Sequence, residues 1–367
     1  MKVKVQKECF LKSLQKVSNI IGSRNTLPIL ANILIEAKEG KIILTTTDLE
    51  VRITTSLIAE IIEEGATTLP MKKLLGLVSK LRNGEISIES NEKHHAEIKC
   101  GTVVVMLAGL DPQGFPEAAE IPTHSTITVK QNELAGIIDR ISYAVSSDDS
   151  RKVLQGIYLS AKDDTLVGVA TDGKRLAKIS RPLTTPIEGD DCSIIVTLKA
   201  VNEIKRILEQ EGEAKIKVGE KQFIFETNDT RIIAKLIEGT YPNYQQVIPT
   251  QFKNSIEVSC EPFIYAIDIL NVAISEGNTP NIKLTFANNK LQFEASSTIG
   301  EGKESIDVEY NGDELSANFN PNYLLDPFKH LPVEKVFWKI NDAVSQIAIE
   351  SSDGFIYVIM PMRSNSK

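Results

Sequence analysis

One local pattern, Thr-Asp set into an apolar strand, occurs in "LTTTDLEVRI" and again in "GVATDGKRLAKI", at Thr47-Asp48 and Thr171-Asp172, 124 residues apart. The match extends in both directions. Upstream lie a helical stretch and a strand, "KECFLKSLQKVSNIIG" then "LPILANILIEA" in the first copy, "KQNELAGIIDRISYAVSS" then "KVLQGIYLSA" in the second. Downstream, "GATTLPMKKLLGLVSKLRNGEISIES" and "CSIIVTLKAVNEIKRILEQEGEAKIKV" share the order strand, helix, strand. Each copy closes on an aromatic-Pro pair and an Ile-Pro, Phe115-Pro116 with Ile121-Pro122 and Tyr241-Pro242 with Ile248-Pro249. Proline at these points sets the chain direction and stops the preceding pattern. A third, weaker copy runs through "CEPFIYAIDILNVAIS", "NIKLTFANNKLQFEASS", "ANFNPNYLLDPFKHLP" and "FIYVIMPM".

Three copies in series over nearly the whole chain make duplication the better account. The expected domains are residues 1–120, 121–249 and 250–367. Each reads as two helices and about eight strands with period-two alternation, as in "KQFIFETND". Asn288-Asn289 and Asp353-Gly354 suit tight hairpin turns. The fold class is therefore α+β, a three-fold internal repeat with two helices per repeat packed on antiparallel sheets.

No catalytic pattern accompanies this architecture. The chain contains no GxxxxGK[ST], no HExxH and no GxSxG. The four cysteines are scattered without a CxxC pair, and His94-His95 reads as part of an exposed hairpin, so the expectation is no metal, no cofactor and no disulfide framework. Asp48 and Asp172 are read as local backbone acceptors that fix a strand end, since repeat-related acids in separate domains do not meet across one substrate. The acidic loop "SSDDSR", Ser146 to Arg151, reads as solvated rather than as a cation site. The opening "MKVKVQKECF" does not read as a signal peptide, and no apolar run approaches 18 residues, so a cytoplasmic location is expected.

Charge is distributed unevenly. The formal net charge is -8, yet cations recur on the expected helices: Lys7, Lys12 and Lys16; Lys72, Lys73, Lys80 and Arg82; Lys130 and Arg140; Lys199, Lys205 and Arg206; Lys329 and His330. The fifth helix breaks the trend with Glu261 and Asp268. Helices lining one surface would face phosphate together, and without arginine clusters or aromatic platforms that contact would be indifferent to base sequence. From the residues alone, the reading stops at a repeat-built scaffold.

The stretches "TLPILANILIE", "TTTDLEVRI", "VATDGKRLA", "YPNYQQVIP", "FNPNYLLD" and "YVIMPMR" carry a resemblance, over Met1 to Arg363, to the bacterial DNA polymerase III beta subunits. What the resemblance implies is a DNA-clamp fold and a ring-forming, head-to-tail homodimer around duplex DNA. Such a clamp is a processivity factor without catalysis. It tethers the polymerase III catalytic subunit, is loaded by an ATP-dependent clamp loader, and receives repair polymerases, mismatch-repair proteins and ligase through short linear motifs. It is cytoplasmic, and nucleoid-associated during replication.

Carried over residue by residue, the resemblance places DNA contacts at Arg24 and Lys199, with Lys72, Lys73, Lys205 and Arg206 on the basic helices. A partner-peptide pocket falls on Leu154, Thr171, Gly173, Lys174, Arg175, Leu176, Pro242, Gln246, Val247, Val358, Ile359, Met360, Pro361, Met362 and Arg363. The dimer interface falls on Lys99, Thr102 and Val104 of one end and Ala273, Ile274, Glu301 and Glu304 of the other. Gln246 and Lys174 depart from the arginine and histidine some members carry, Thr102 stands where well-known members are aromatic, and the tail extends by Ser364 to Lys367. Two other classes stay open beside the clamp: a scaffold that keeps the fold without being loaded, and an enzyme with a site at a domain junction.

Overall fold

A computed structural model describes residues 1–22, 27–274, 281–297 and 300–362; of Ala273 only the backbone is included. Arg24, Arg363 and the Ser364–Lys367 tail lie outside the described residues, as does the side chain of Ala273. Among the described residues there are six α-helices: α1 Lys7–Val17, α2 Met71–Lys80, α3 Gln131–Ile141, α4 Leu198–Ile207, α5 Cys260–Ile274 and α6 Pro321–His330. Two fall in each repeat, and none is long and apolar enough to cross a membrane.

The repeats agree in detail. The first helix of each starts directly after a strand, and its first N–H is capped by a carbonyl from the loop after the second helix: Lys7 to Gly84 at 2.9 Å, Gln131 to Gly212 at 3.0 Å, Cys260 to Glu334 at 2.8 Å. A first-turn N–H has no partner inside its own helix, so these bonds satisfy a group that would otherwise need water. The buried stripe keeps phase as well, through Phe10, Leu14 and Val17, then Leu134, Ile138 and Ile141, then Phe263, Ile267 and Leu270, none more than 5% exposed. The next hairpin of each repeat turns on two residues with positive φ: Glu39 and Gly40, Asp163 and Asp164, Asn288 and Asn289. A two-residue turn with both φ positive matches the twist of the flanking strands, which is why Asn, Asp and Gly collect there.

Packing groups the chain into two compact units. The first (Met1–Leu134, Thr184–Cys192, Lys199–Leu236) holds a five-stranded sheet that ends on the strand Val103–Ala108 and a nine-stranded sheet. In the nine-stranded sheet, Val51–Ile58 of the first repeat pairs antiparallel with Thr230–Lys235 of the second. The second unit (Ala135–Leu183, Ser193–Leu198, Ile237–Lys367) holds an eight-stranded and a four-stranded sheet. There Arg175–Pro182 of the second repeat pairs with Phe355–Ile359 of the third in the same manner. Continuous ladders across repeats explain why the compact units do not follow the repeats.

Helices seat closely on these sheets. A Cβ at Gly168 would come within 2.8 Å of both Ile137 and Ile141 of α3, so only glycine allows this approach. In the third repeat Phe263 of α5 stacks on Phe328 of α6 at 4.3 Å, with Trp338 at 5.3 Å and Phe293 at 5.5 Å.

Candidate functional site

The two Thr-Asp corners are built alike. Asp48 Oδ1 accepts the N–H groups of Glu50 and Val51 at 3.0 and 2.9 Å, while Thr47 Oγ1 donates to Val51 O and accepts from Leu49 N. Asp172 Oδ1 accepts from Lys174 and Arg175 at 2.9 and 3.0 Å, while Thr171 Oγ1 donates to Arg175 O and accepts from Gly173 N. Both acids thus hold local backbone, as their strand-end context predicts. Each keeps Oδ2 for a cation, Lys199 for Asp48 and Arg175 for Asp172. The third corner position has φ +85° at Gly173 but +75° at Leu49. A leucine there carries a steric cost of about 1 kcal/mol or more that glycine avoids. Leu49→Gly is therefore expected to stabilise the protein by about 0.5–1 kcal/mol despite the entropy of glycine, measured as a shift of the urea midpoint.

The second corner lies at one end of a strand that contributes to an apolar cluster in the second unit. Register sets which side chains face it. Leu176 lies opposite Val358, and Val358 lies opposite Ala348 on its other side. These three join Leu154, Val169, Ile195 and Tyr241 in one buried cluster, against which Tyr158, Tyr244, Ile248 and Phe252 pack part-exposed. Tyr158 stacks on Tyr241 at 4.9 Å. Gly173, Lys174, Pro242, Gln246, Val247 and Met360 are exposed around it, with Thr171, Pro361 and Met362 half-buried. The chain end is tied down by Met360 N–H to Lys174 O at 3.1 Å and Met362 N–H to Asn318 O at 2.7 Å. The sequence reading does not single out Tyr158, Tyr244 or Ala348 for this site; the signal lay in strand register and in the aromatic spacing of "YPNYQQVIP".

Two of the expected pocket residues point elsewhere. Arg175 and Ile359 are register partners on the opposite face of the same two strands. Ile359 is fully buried there. Arg175 donates from Nε to Asp172 at 3.1 Å, from one terminal nitrogen to Asp326, and from the other to Tyr143 O at 2.7 Å, with Tyr323 under the guanidinium at 4.3 Å. Burial works against this charge, but Tyr357, Asp326 and Asp172 outweigh it and hold its pKa above the ordinary arginine value. The alternation of a strand is the reason: neighbours 175 and 176 cannot face one side.

The cations divide likewise. Lys72, Lys73 and Lys205 are exposed on α2 and α4. Lys199 pairs with Asp48 and, at 3.5 Å, with Glu50; Arg206 pairs with Glu203 at 3.4 Å. On α1, Lys12 reaches Glu209 at 3.1 Å and Lys16 reaches Asp229 at 2.6 Å, both in the second repeat. On α3, Arg140 reaches Asp353 of the third repeat at 3.0 Å, and Arg181 meets the same carboxylate at 2.8 Å. The expectation that helix cations face phosphate together is thus corrected for Lys16 and Arg140, which join one repeat to the next. The "SSDDSR" loop knits itself together, Asp148 accepting from Ser150 N, Ser150 Oγ and Arg151 Nε.

Asp229 and Asp353 have a consequence for pH. Burial raises both carboxyls, but Lys16 and Thr230 bring the first below its usual value, and Ser351, Arg181 and Arg140 do the same for the second. The folded chain therefore releases these protons more readily than the unfolded one. The stabilisation is complete above the unfolded carboxyl value, about pH 4, and is lost as pH falls through the lower folded value. The melting temperature is expected to drop below about pH 4, and Asp353→Asn should lower it at pH 7 while flattening that acid limb.

On the sheet-end strand Val103–Ala108, Val104 lies opposite Lys99 and, on the same face, Met106 opposite Glu97. Val103 and Val105 face the other way, opposite Cys100 and Ile98. Thr102 sits in the turn before this strand. On the strand Glu301–Asp307, Glu301 lies opposite Ser296 and Glu304 opposite the buried Phe293, so the two glutamates occupy different faces. Ile274 is 1% exposed within the single chain; Val272, two residues earlier and so on the opposite side of the helix, is 75% exposed.

Comparison with known proteins gives the same frame. The family model for the DNA polymerase III beta subunit, N-terminal domain, matches residues 1–119, that of the central domain 128–243 and that of the C-terminal domain 245–363. The beta sliding clamp of Pseudomonas aeruginosa is 32% identical over 364 residues, 98% of this chain and 99% of that protein. That of Chlamydia muridarum is 31% identical over 353 residues, 95% of each. The crystal structure of the DNA polymerase III subunit beta from P. aeruginosa superposes with a TM-score of 0.93 at 32% identity, over 99% of this chain and 100% of that one. The DNA polymerase sliding clamp from Bacillus subtilis gives 0.94 at 27% identity, over 99% of each chain. With all three domain models matched in order and relatives aligned almost end to end, the chain belongs to the DNA polymerase III beta subunit family, the sliding clamps.

Proposed function

We propose that two copies of this chain close head to tail into a ring through which duplex DNA passes. As a sliding clamp the protein is a non-catalytic processivity factor that encircles DNA and tethers the replicative polymerase. The observation that supports the homodimeric ring is the pair of unmatched edges. The fourth strand of repeat one pairs with the last strand of repeat two, and the fourth strand of repeat two pairs with the last strand of repeat three. That leaves the fourth strand of repeat three, Glu301–Asp307, and the last strand of repeat one, Val103–Ala108, as sheet ends without the corresponding partner. A second copy supplies the missing partner of each, by strand addition. Lys99, Thr102 and Val104 on one side and Glu301, Glu304, Ala273 and Ile274 on the other flank this seam. The three repeats serve as domains 1–120, 121–249 and 250–367 of a six-domain ring.

Arg24, Lys72, Lys73, Lys199, Lys205 and Arg206 are the DNA-contacting cations in this reading. A threaded duplex need not be held tightly, so weak, salt-sensitive contacts suffice and permit sliding. The groove around Leu176 and Val358 takes short partner motifs with Gln and Leu/Phe anchors. These come from the polymerase and the ATP-dependent loader, and also from repair polymerases, mismatch-repair proteins and ligase in the cytoplasm. Tethering keeps a polymerase at high effective concentration near the primer end.

Sedimentation at micromolar concentration is expected to show a species near twice 40.5 kDa; monomer alone would contradict the ring. Deleting Met360 to Lys367 removes the ties to Lys174 and Asn318. It is expected to weaken a Gln-Leu-Phe-type peptide by about tenfold or more in calorimetry, with the dimer retained.

A further inference from the structure

Each junction between successive repeats is built from the same positions, so the first can be laid over the second residue by residue. Arg52 and Ile233 are register partners across the first, as Leu176 and Val358 are across the second. Ile224 and Ala348 lie beside them on the next strand. Thr45 and Val169 stand two residues before Thr47 and Thr171, the ends of their strands. Thr68 and Ile195 stand two residues before the ends of the strands that lead into α2 and α4. Phe115-Pro116 matches Tyr241-Pro242.

The chemistry differs at three of these places. In the second junction Val169, Leu176 and Ile195 belong to one apolar cluster with Tyr241, Ala348 and Val358. In the first, the same places hold Thr45, Arg52 and Thr68. Both threonines are buried and committed to hydrogen bonds. Thr45 Oγ1 lies 3.1 Å from Thr54 Oγ1, and Thr68 Oγ1 donates to Leu110 O at 2.9 Å while accepting from Asn32 at 3.0 Å. Arg52 is half-buried; its guanidinium lies over the Phe115 ring at 5.6 Å and donates to Pro116 O at 2.5 Å. The pocket left beside it is about 160 Å³. Burial lowers the pKa of Arg52 and Glu36 opposes that shift, but a guanidinium keeps its charge in a protein. An apolar anchor pressed onto Arg52 would strip water from this charge without offering it a partner, which is strongly disfavoured.

We propose that Arg52 limits each chain to one partner-motif site: its side chain closes the first-junction counterpart of the groove, where Leu176 at the same place leaves the second junction receptive. The proposal rests on the groove reading above and adds the residue that decides which of two like junctions accepts a motif.

The test is calorimetry of a Gln-Leu-Phe-type peptide on the full chain and on Arg52→Leu and Leu176→Arg, with melting temperature and Trp338 fluorescence recorded for each. The wild type is expected to bind one peptide per chain. Arg52→Leu is expected to bind two, the second more weakly, and a photoreactive form of the peptide should then cross-link near Thr47 to Ile53 as well as at the second junction. Leu176→Arg should weaken the peptide by about tenfold or more. If folded Arg52→Leu still binds one peptide and shows no cross-link at the first corner, the proposal is overturned and the groove reading stands. Two peptides on the wild-type chain overturn the proposal as well. A wild-type chain that binds no peptide, or a folded Leu176→Arg that binds it as tightly as wild type, overturns the groove reading and the proposal with it. Leu176 is buried, so if Leu176→Arg does not fold, Arg52→Leu decides the proposal by itself.

Discussion

Arg175→Ala is expected to lower the stability of the second unit by about 3 kcal/mol. The guanidinium is 9% exposed and satisfies Asp172, Asp326 and the carbonyl of Tyr143 at once. Removing it leaves Asp172, 14% exposed, with no cation in place, and takes the stacking partner from Tyr323. The cost sits at the lower end of the range for a broken buried pair because Asp326 keeps part of its water, at 31% exposure. Arg175→Lys keeps the charge but cannot serve three acceptors in a plane, so it should recover only part of the loss. Urea unfolding checks both. Because Arg175 is on the face away from the groove, peptide affinity should fall only as far as the corner at Asp172 loosens. A variant that loses peptide binding at unchanged stability would place the side chain in the groove after all.

Phe263→Ala is expected to cost about 3–5 kcal/mol. Phe263 is fully buried and touches three other aromatic rings, Phe293, Phe328 and Trp338, drawn from two strands and the facing helix. The lost contacts and the cavity add, and rings held on different elements cannot collapse together into the space. Phe263→Leu should cost markedly less. Trp338, the one tryptophan, reports the change directly by fluorescence. If the alanine variant unfolded at the wild-type urea concentration, the aromatic cluster would not be holding the third repeat together.

Much of this fold is legible in residue order, because duplication repeats the same physical instructions. The Thr-Asp corners, the six helices and the Asn288-Asn289 turn all follow from local chemistry. Glu39-Gly40 and Asp163-Asp164 are less obvious alone, yet the aligned copies put them at the same turn. What was not legible needed register or a distant partner. Arg175 and Leu176 are adjacent in sequence and face opposite sides of a sheet. Lys16 and Arg140 look like ordinary surface cations until the acids of the next repeat, Asp229 and Asp353, come beside them. Ile274 reads as a helix-end contact, but the helix phase turns it inward and presents Val272 instead. The shared ladders that merge repeats into two units leave no mark on composition.

Threading is the claim from which the rest follows: weak cations suffice, and partners stay near the DNA, only if the ring encloses the duplex. The most direct measurement loads the full protein onto nicked circular DNA with clamp loader and ATP, removes free protein, and then linearises half of the sample with a restriction enzyme. The expected result is long retention on the circle and rapid loss from the cut molecule, at the same salt and temperature. Equal retention on both would mean that the protein holds DNA by contact alone, and would contradict the account.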